Sequence, residues 1–162
     1  MRFSSLGSGS KGNATLIESA ETCVMVDCGF SIKETEKRLA RLNKTAEDID
    51  AILVTHEHGD HIQGVCGFAR RHQVPVCLTP GTFESSAFQS KCGPGYPQIR
   101  YIDSHSTFEL KDLQVSPFPV PHDANEPCQF VINNNKKRFA MLTDVGHCTE
   151  HIKTQLKHCD AL

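Results

Sequence analysis

The chain has 162 residues, which suits one domain with a sizeable core, and its 38% hydrophobic and 22% charged residues are typical of an ordinary globular protein. The formal net charge of -2 provides no overall attraction to nucleic acid or anionic membranes and leaves local basic patches open. No apolar run reaches the roughly 18 residues of a membrane span, and residues 1–7 lack the apolar segment of a signal peptide. We therefore expect a single domain over 1–162 in a cytoplasmic protein.

The eight cysteines do not follow a metal-binding or redox pattern. No CxxC pair occurs, and a chain of this length with many apolar strands does not need disulfides for stability. We expect them to be reduced and mostly buried; they are Cys23, Cys28, Cys66, Cys77, Cys92, Cys128, Cys148 and Cys159.

The first half of the chain predicts strands that alternate with helices. Ser31 and Glu34 form a capping-box pattern that begins one helix, and a second is predicted over 62–73. Apolar runs predict strands at 2–6, 14–18, 22–27, 51–55 and 74–78, with a glycine- and serine-rich loop at 7–13. The strand at 51–55 runs directly into His56, and open α/β sheets place their sites at this carboxyl end.

The second half of the chain is dominated by strands. A weak helix is predicted at 82–89 and a final helix at 147–158, and Asn133-Asn134-Asn135-Lys136-Lys137 is typical of a hairpin turn. Strands are predicted at 99–102, 107–110, 113–120, 128–132 and 138–142.

The segment His56-Glu57-His58-Gly59-Asp60-His61 indicates a metal site. In a turn, His56 and His58 can point to one side, while Asp60 and His61 turn toward a second point beside the first. This spacing suits two metal ions, and Gly59 permits a tight loop. Imidazole and carboxylate ligands together favour zinc, with manganese or iron as alternatives.

Two later strands end in further candidate ligands. His122 follows the apolar strand that ends at Val120-Pro121, and Asp144 follows the strand that ends at Leu142-Thr143. Either residue alone is typical of an ordinary loop. Together with the His56 cluster, they indicate the remaining ligands of one composite site.

These motifs resemble the metallo-β-lactamase superfamily. The cluster at 56–61 matches its HxHxDH signature, and Val26-Asp27-Cys28-Gly29, His122 and Thr143-Asp144-Val145-Gly146 are landmarks in the family's order. Residues 6–13 (LGSGSKGN) and 121–127 (PHDANEP) are similar to the YycJ-like, or WalJ-like, branch. The resemblance implies an α/β (α+β) fold, the αββα four-layer sandwich.

The resemblance also implies the ligands of two metal ions. His56, His58 and His122 would bind the first ion, Asp60 and His61 the second, and Asp144 would bridge them. Asp27 would support the ligand loop by hydrogen bonds without binding metal.

Further residues are candidates for catalysis and substrate binding. A water activated by the two metals would attack the substrate, and Asp60 would orient it and take its proton. Asp123 is a candidate proton donor to the leaving group, with a turn-forming aspartate as the alternative. Ser8, Ser10, Lys11 and Asn13 are candidates for binding phosphate, with a purely structural turn as the alternative.

The chain departs from the family pattern after Asp144. The family completes the second metal site with a later histidine, and none of the three remaining histidines stands at the end of a predicted strand: His147, His151 and His158. We expect a truncated chain without the C-terminal strands of the sandwich. The alternative is a shortened protein in which a partner subunit or water fills the gap, and an open sheet edge would then favour a homodimer.

Three functions remain open at this point. The branch resemblance implies a phosphodiesterase, above all an exonuclease with nucleic acid or another phosphodiester as its partner. The second interpretation is a thioester hydrolase of the glyoxalase II type or a cyclic-phosphate phosphodiesterase. The third, from another class, is an inactive metal-binding fragment or interaction module, because a fold alone does not choose a substrate.

Overall fold

Two β-sheets pack face to face in the computed structural model, which describes all 162 residues. The first sheet has six strands in sequence order, β1 to β6, and the second has four in the order β10-β9-β8-β7. The first sheet comprises β1 (Arg2–Gly7), β2 (Ala14–Glu18), β3 (Cys23–Val26), β4 (Ala51–Leu53), β5 (Val76–Leu78) and β6 (Ile99–Tyr101). The second comprises β7 (Phe108–Leu110), β8 (Leu113–Pro119), β9 (Cys128–Asn133) and β10 (Arg138–Met141).

The strand directions bring several carboxyl ends to one edge of the first sheet. β1, β2 and β3 pair antiparallel, whereas β3, β4, β5 and β6 pair parallel. Parallel strands need crossover connections, and the intervening helices supply them. The loops that follow β3, β4 and β5 therefore emerge side by side.

Six helices cover the outer faces of the two sheets. They are α1 (Ile32–Ala40), α2 (Gly59–Ile62), α3 (Val65–His72), α4 (Pro80–Glu84), α5 (Ser86–Cys92) and α6 (Glu150–Leu156). Leu39 of α1, Phe68 of α3 and Phe88 of α5 pack in one core with the outward residues of the first sheet. None of the helices is both long and apolar enough to span a membrane.

The side chains of β3 show how the layers are stacked. Cys23 and Met25 point into the core beneath the helices, whereas Val24 and Val26 point into a second core between the sheets. This alternation is the two-residue period of a strand with both faces buried. A third core joins Ile152 of α6 to the outer face of the second sheet. The order helix, sheet, sheet, helix confirms the αββα sandwich.

One predicted helix begins later than expected, and another is divided in two. The helix predicted over 62–73 begins at Val65, after Gly64, where an added Cβ would lie 2.0 Å from the carbonyl oxygen of Phe30. Gly64 instead donates its amide to the carbonyl of Cys28 at 2.7 Å. The helix predicted over 82–89 is two helices, because Ser85 ends α4 and caps α5 by accepting the amide of Phe88 at 3.1 Å.

The cysteines are mostly buried as expected, but two of them are paired. Cys66 of α3 and Cys92 of α5 form a disulfide with their Cα atoms 5.2 Å apart. The prediction that all eight are reduced is therefore wrong for this pair, because the packing of two helices brings distant positions together. Cys148 is the exposed thiol.

Candidate metal centre

The site begins where β3 and β4 end next to each other. Val26 pairs with Leu53, and the next amide, that of Asp27, still donates to the carbonyl of Leu53 at 2.8 Å. Asp27 then adopts a left-handed backbone with φ of 59°, which aspartate tolerates better than most residues. The turn aims its carboxylate at the loop that carries the histidine cluster.

The Asp27 carboxylate organises that loop. It accepts the amide of Thr55 at 2.8 Å and the Thr55 hydroxyl at 2.9 Å, and its Oδ2 lies 2.8 Å from Nδ1 of His61. The strand predicted to continue to residue 55 ends at Leu53, because the amide of Thr55 is bound to this carboxylate. Asp27 therefore orients a candidate ligand through hydrogen bonds, as expected of a residue behind the ligands.

One group of possible ligands consists of His56, His58 and His122. Their ring nitrogens all lie within 4.8 Å of one another. Nε2 of His122 is 3.2 Å from Nδ1 of His58, and Nε2 of His58 is 3.2 Å from the carbonyl oxygen of Asp123. Three imidazole nitrogens that converge on one point form a donor set suited to zinc.

The second group consists of His56, His61 and Asp144, with ligand atoms again within 4.8 Å. Oδ2 of Asp144 lies 2.7 Å from Nε2 of His61 and 3.7 Å from Nε2 of His56. Asp144 has a left-handed backbone, with φ of 44°. The two groups share His56, so they lie side by side.

The environment of His56 fits a metal ligand. Its Nδ1 lies 2.9 Å from the hydroxyl of Thr55, whereas its Nε2 is buried without any hydrogen-bond partner. Burial, followed by the neighbouring His61, His122 and His58, lowers the pKa of His56 to about 2. The ring is therefore neutral, and a buried nitrogen without a partner faces the point where the other ligands meet. Buried polar atoms rarely lack a partner, so this nitrogen is well placed to bind a metal ion.

The pKa of His61 is shifted in the opposite direction from that of His56. Burial alone would lower its pKa, but the hydrogen bond and charge of Asp27, with the charges of Asp60 and Asp144, raise it to about 9. A concentration of carboxylates that holds a proton on this ring in the metal-free protein also attracts a cation. The second group is thus the more anionic half of the site.

Asp60 lies beside the second group but outside its closest contacts. Its Oδ2 is 3.6 Å from Nε2 of His61 and accepts a hydrogen bond from Nδ2 of Asn13 at 2.9 Å. Gly59, expected to make the loop tight, begins α2; its φ is not positive, and a Cβ there would meet nothing within 4 Å. The close approach to the ligand loop occurs instead at Gly29, where a Cβ would lie 1.7 Å from the carbonyl oxygen of Asp60.

The loop at 7–13 lines a pocket of about 340 Å³. Ser8, Ser10 and Lys11 are exposed in it, whereas Asn13 is buried and bonded to Asp60 and His61. Arg38 also lines this pocket, with its guanidinium 4.0 Å from the centre of the Phe30 ring. No local sequence signal marks Arg38, because only the packing of α1 brings it there.

The remaining candidates fall at the rim or outside. The side chain of Asp123 is 88% exposed, and its Oδ1 lies 3.1 Å from Nδ1 of His122. The three late histidines are exposed and belong to neither ligand group: His147, His151 and His158.

The amino-acid sequence is similar to that of a bacterial exodeoxyribonuclease. "Exodeoxyribonuclease YycJ" of Bacillus anthracis is 34% identical over 99% of this chain, and the match covers 61% of that protein. The chain thus spans about three fifths of the length of this relative.

Two solved structures share the fold. A diphosphatase from the PhnP family superposes with a TM-score of 0.72 and 21% identity, over 93% of this chain and 58% of that one. Zn(2+)-bound PqqB from Methylobacterium extorquens superposes with a TM-score of 0.69 and 19% identity, over 91% of this chain and 55% of that one. At these identities the likeness concerns the fold.

The sequence pattern of the beta-lactamase superfamily domain matches residues 22–162, which include His56–His61, His122 and Asp144. With the layered sheets and the converging histidines, this match shows that the chain belongs to the metallo-β-lactamase superfamily.

Proposed function

We propose that this chain carries the catalytic metal centre of a metal-dependent phosphodiesterase that acts on nucleic acid as an exonuclease. The observation that carries the proposal is the buried, partnerless Nε2 of His56 at the junction of two ligand groups. The name of the 34% identical relative, an exodeoxyribonuclease, supports nucleic acid as the substrate class.

The proposed centre takes two divalent metals, with zinc preferred and manganese or iron as alternatives. We assign His56, His58 and His122 to the first metal, because their nitrogens converge without a carboxylate. Asp60 and His61 are assigned to the second, with Asp144 between the two. The support for Asp144 as the bridge is its Oδ2, which lies near both His61 and His56.

The residues around the metals have distinct roles in this proposal. When bound, the metal pair lowers the pKa of a water and neutralises charge on the phosphate oxygens. Asp60 accepts the proton of the attacking water, and Asn13 holds the Asp60 carboxylate in place. Asp123, which is exposed beside His122, donates a proton to the leaving oxygen.

The pocket lined by the loop at 7–13 is proposed to hold a substrate phosphate. Lys11 has no ion-pair partner, and Ser8 and Ser10 add hydroxyl groups to the same pocket. Arg38 also lines this pocket and contributes positive charge, although Glu34 binds its Nε at 2.8 Å. Asn13 has a different role: its amide is bonded to Asp60 and His61, so it supports the metal centre.

Metal content and hydrolysis, measured side by side, test this function. Wild type and His58→Ala are loaded with zinc or manganese, assayed for metals per chain, and incubated with end-labelled DNA. We expect two metals in wild type, one fewer in His58→Ala, and release of nucleotides that falls with rising salt, since phosphate contacts are screened.

Other substrates distinguish the remaining interpretations. Turnover of S-lactoylglutathione or a cyclic nucleotide, without cleavage of DNA, would replace the nuclease by a thioesterase or a cyclic-phosphate phosphodiesterase. Metal binding without turnover of any of these substrates would make the chain a metal-binding module.

A further inference from the structure

Glu57 lies between the candidate ligands His56 and His58 in the sequence but belongs to neither ligand group. It is buried, with 7% of its surface exposed, and its Oε1 accepts the backbone amide of Asn125 at 2.7 Å. Its Oε2 is buried and has no hydrogen-bond partner. A buried carboxylate with one oxygen left without a partner is costly to maintain, so this position calls for a role.

The partner of Glu57 belongs to the loop that carries His122. This loop, residues 121–127, is closed at its base by the amide of Val120, which donates to the carbonyl of Pro127 at 3.3 Å. On the side away from the histidines, Oε2 of Glu126 accepts the amide of Gly81 at 2.7 Å. The hydroxyl of Thr79 donates to the carbonyl of Glu126 at 2.9 Å. The loop is thus held from behind by the start of α4.

Glu57, in the segment that carries His56 and His58, holds the same loop through Asn125. Three hydrogen bonds connect the segment 56–61 with the loop 121–127, and two of them use a ring nitrogen of His58. A metal held by both His58 and His122 would replace the contact between their rings. The bond from Asn125 to Glu57 is the one that involves no candidate ligand, so metal binding would not require it to break.

We propose that Glu57 is a positioning residue that fixes the His122 loop relative to His56 and His58 before a metal arrives. The inference rests on the metal centre proposed above. Because His122 and the His56–His58 pair are far apart in sequence, their spacing depends on contacts between loops. A carboxylate that accepts a backbone amide sets this spacing without competing for the metal, since its free oxygen is enclosed by protein.

Two substitutions separate the hydrogen bond from the charge. Glu57→Ala removes the acceptor, whereas Glu57→Gln keeps an oxygen that accepts the Asn125 amide and removes the charge. The matched control is Glu84→Gln. Glu84 is an exposed residue of α4 without a hydrogen-bond partner. Circular dichroism establishes which variants are folded.

The first measurement is amide hydrogen exchange of Asn125 by NMR in the metal-free protein. In Glu57→Ala this amide exchanges at least about tenfold faster, the effect of losing one hydrogen bond to a charged group. In Glu57→Gln and Glu84→Gln it stays protected. Unchanged protection in Glu57→Ala would overturn the proposal, and loss of protection in Glu57→Gln would show that the charge acts rather than the bond.

The second measurement is zinc affinity and the visible spectrum of the Co²⁺-loaded protein. Glu57→Ala weakens the first metal by about ten- to hundredfold and alters the Co²⁺ absorption bands, whereas Glu57→Gln restores most of both. Wild-type affinity in Glu57→Ala contradicts the positioning role. If wild type binds no metal while Asn125 loses protection in Glu57→Ala, the bond stands and the proposed metal centre fails.

Discussion

Asp27 and His61 are joined by a contact of 2.8 Å between Oδ2 and Nδ1, with both side chains buried. The contact leaves Nε2 of His61 directed at Asp144, 2.7 Å away. One carboxylate thus selects which nitrogen of His61 is available, and the same carboxylate anchors Thr55.

Replacing Asp27 by asparagine should weaken metal binding at His61. Asparagine tolerates the left-handed backbone at this position, so the turn is kept, but the charge opposite His61 is lost. We expect zinc affinity at the second site to fall by about ten- to hundredfold, measured by competition with a chromophoric chelator. Asp103→Asn, in an exposed turn with Ser106, should leave affinity unchanged. Equal affinities in the two variants would disprove the role of Asp27.

Metal removal should lower the melting temperature. A bound metal supplies the missing partner of His56, and a ligand present at 100 times its Kd stabilises the folded state by about 2.7 kcal/mol. For a chain of this size we expect a loss of about 5–10 °C on adding EDTA, measured by differential scanning fluorimetry. His122→Ala should abolish most of this difference, whereas His105→Ala, an exposed histidine, should retain it. A melting temperature that EDTA does not change would argue against a resident metal.

Two glycines near the centre should differ sharply in their tolerance of alanine. A Cβ at Gly29 would lie 1.7 Å from the carbonyl oxygen of Asp60 and 2.6 Å from the amide nitrogen of Asn13. The ligand loop must then move, which we expect to cost about 1–3 kcal/mol in urea unfolding and to weaken metal binding. Gly59→Ala meets nothing within 4 Å and should unfold like wild type. Similar behaviour of both variants would refute this description of the loop.

The thiols should react in an order set by burial. Cys148 is exposed and should react with Ellman's reagent within minutes, with the partly buried Cys159 following more slowly. Burial raises the pKa of Cys28 to about 12 and that of Cys77 to about 11, so little reactive thiolate forms at pH 8. Cys148→Ser should remove the fast phase. A second fast thiol in that variant would mean that the core opens readily.

The sequence predicted the site best where its ligands are close together along the chain. The spacing of His56 to His61 is a local signal, and His122 and Asp144 were recognised because each follows an apolar strand. Their roles remain predictions that the metal titrations above test. Arg38 was missed because its position in the pocket depends on the packing of α1, which no local pattern encodes.

The family resemblance implied the four layers, which the structure confirms, whereas the element boundaries predicted from the residues were less accurate. The later helix start after Gly64 arises from contact with Phe30, more than thirty positions away in sequence. The same holds for Cys66 and Cys92, which meet because two helices pack against one sheet. Helical periodicity is read within one segment of the sequence. It therefore cannot predict contacts between distant segments.

The parallel pairing of β3 with β4 also has a kinetic consequence. Parallel strands pair only after a long intervening segment has closed, and folds that depend on such non-local contacts fold slowly. His122 and Asp144 arrive with the second sheet, so an incompletely folded chain offers a metal little beyond the segment at 56–61. During refolding, we therefore expect tight metal binding to report the docking of the second sheet rather than the collapse of the first.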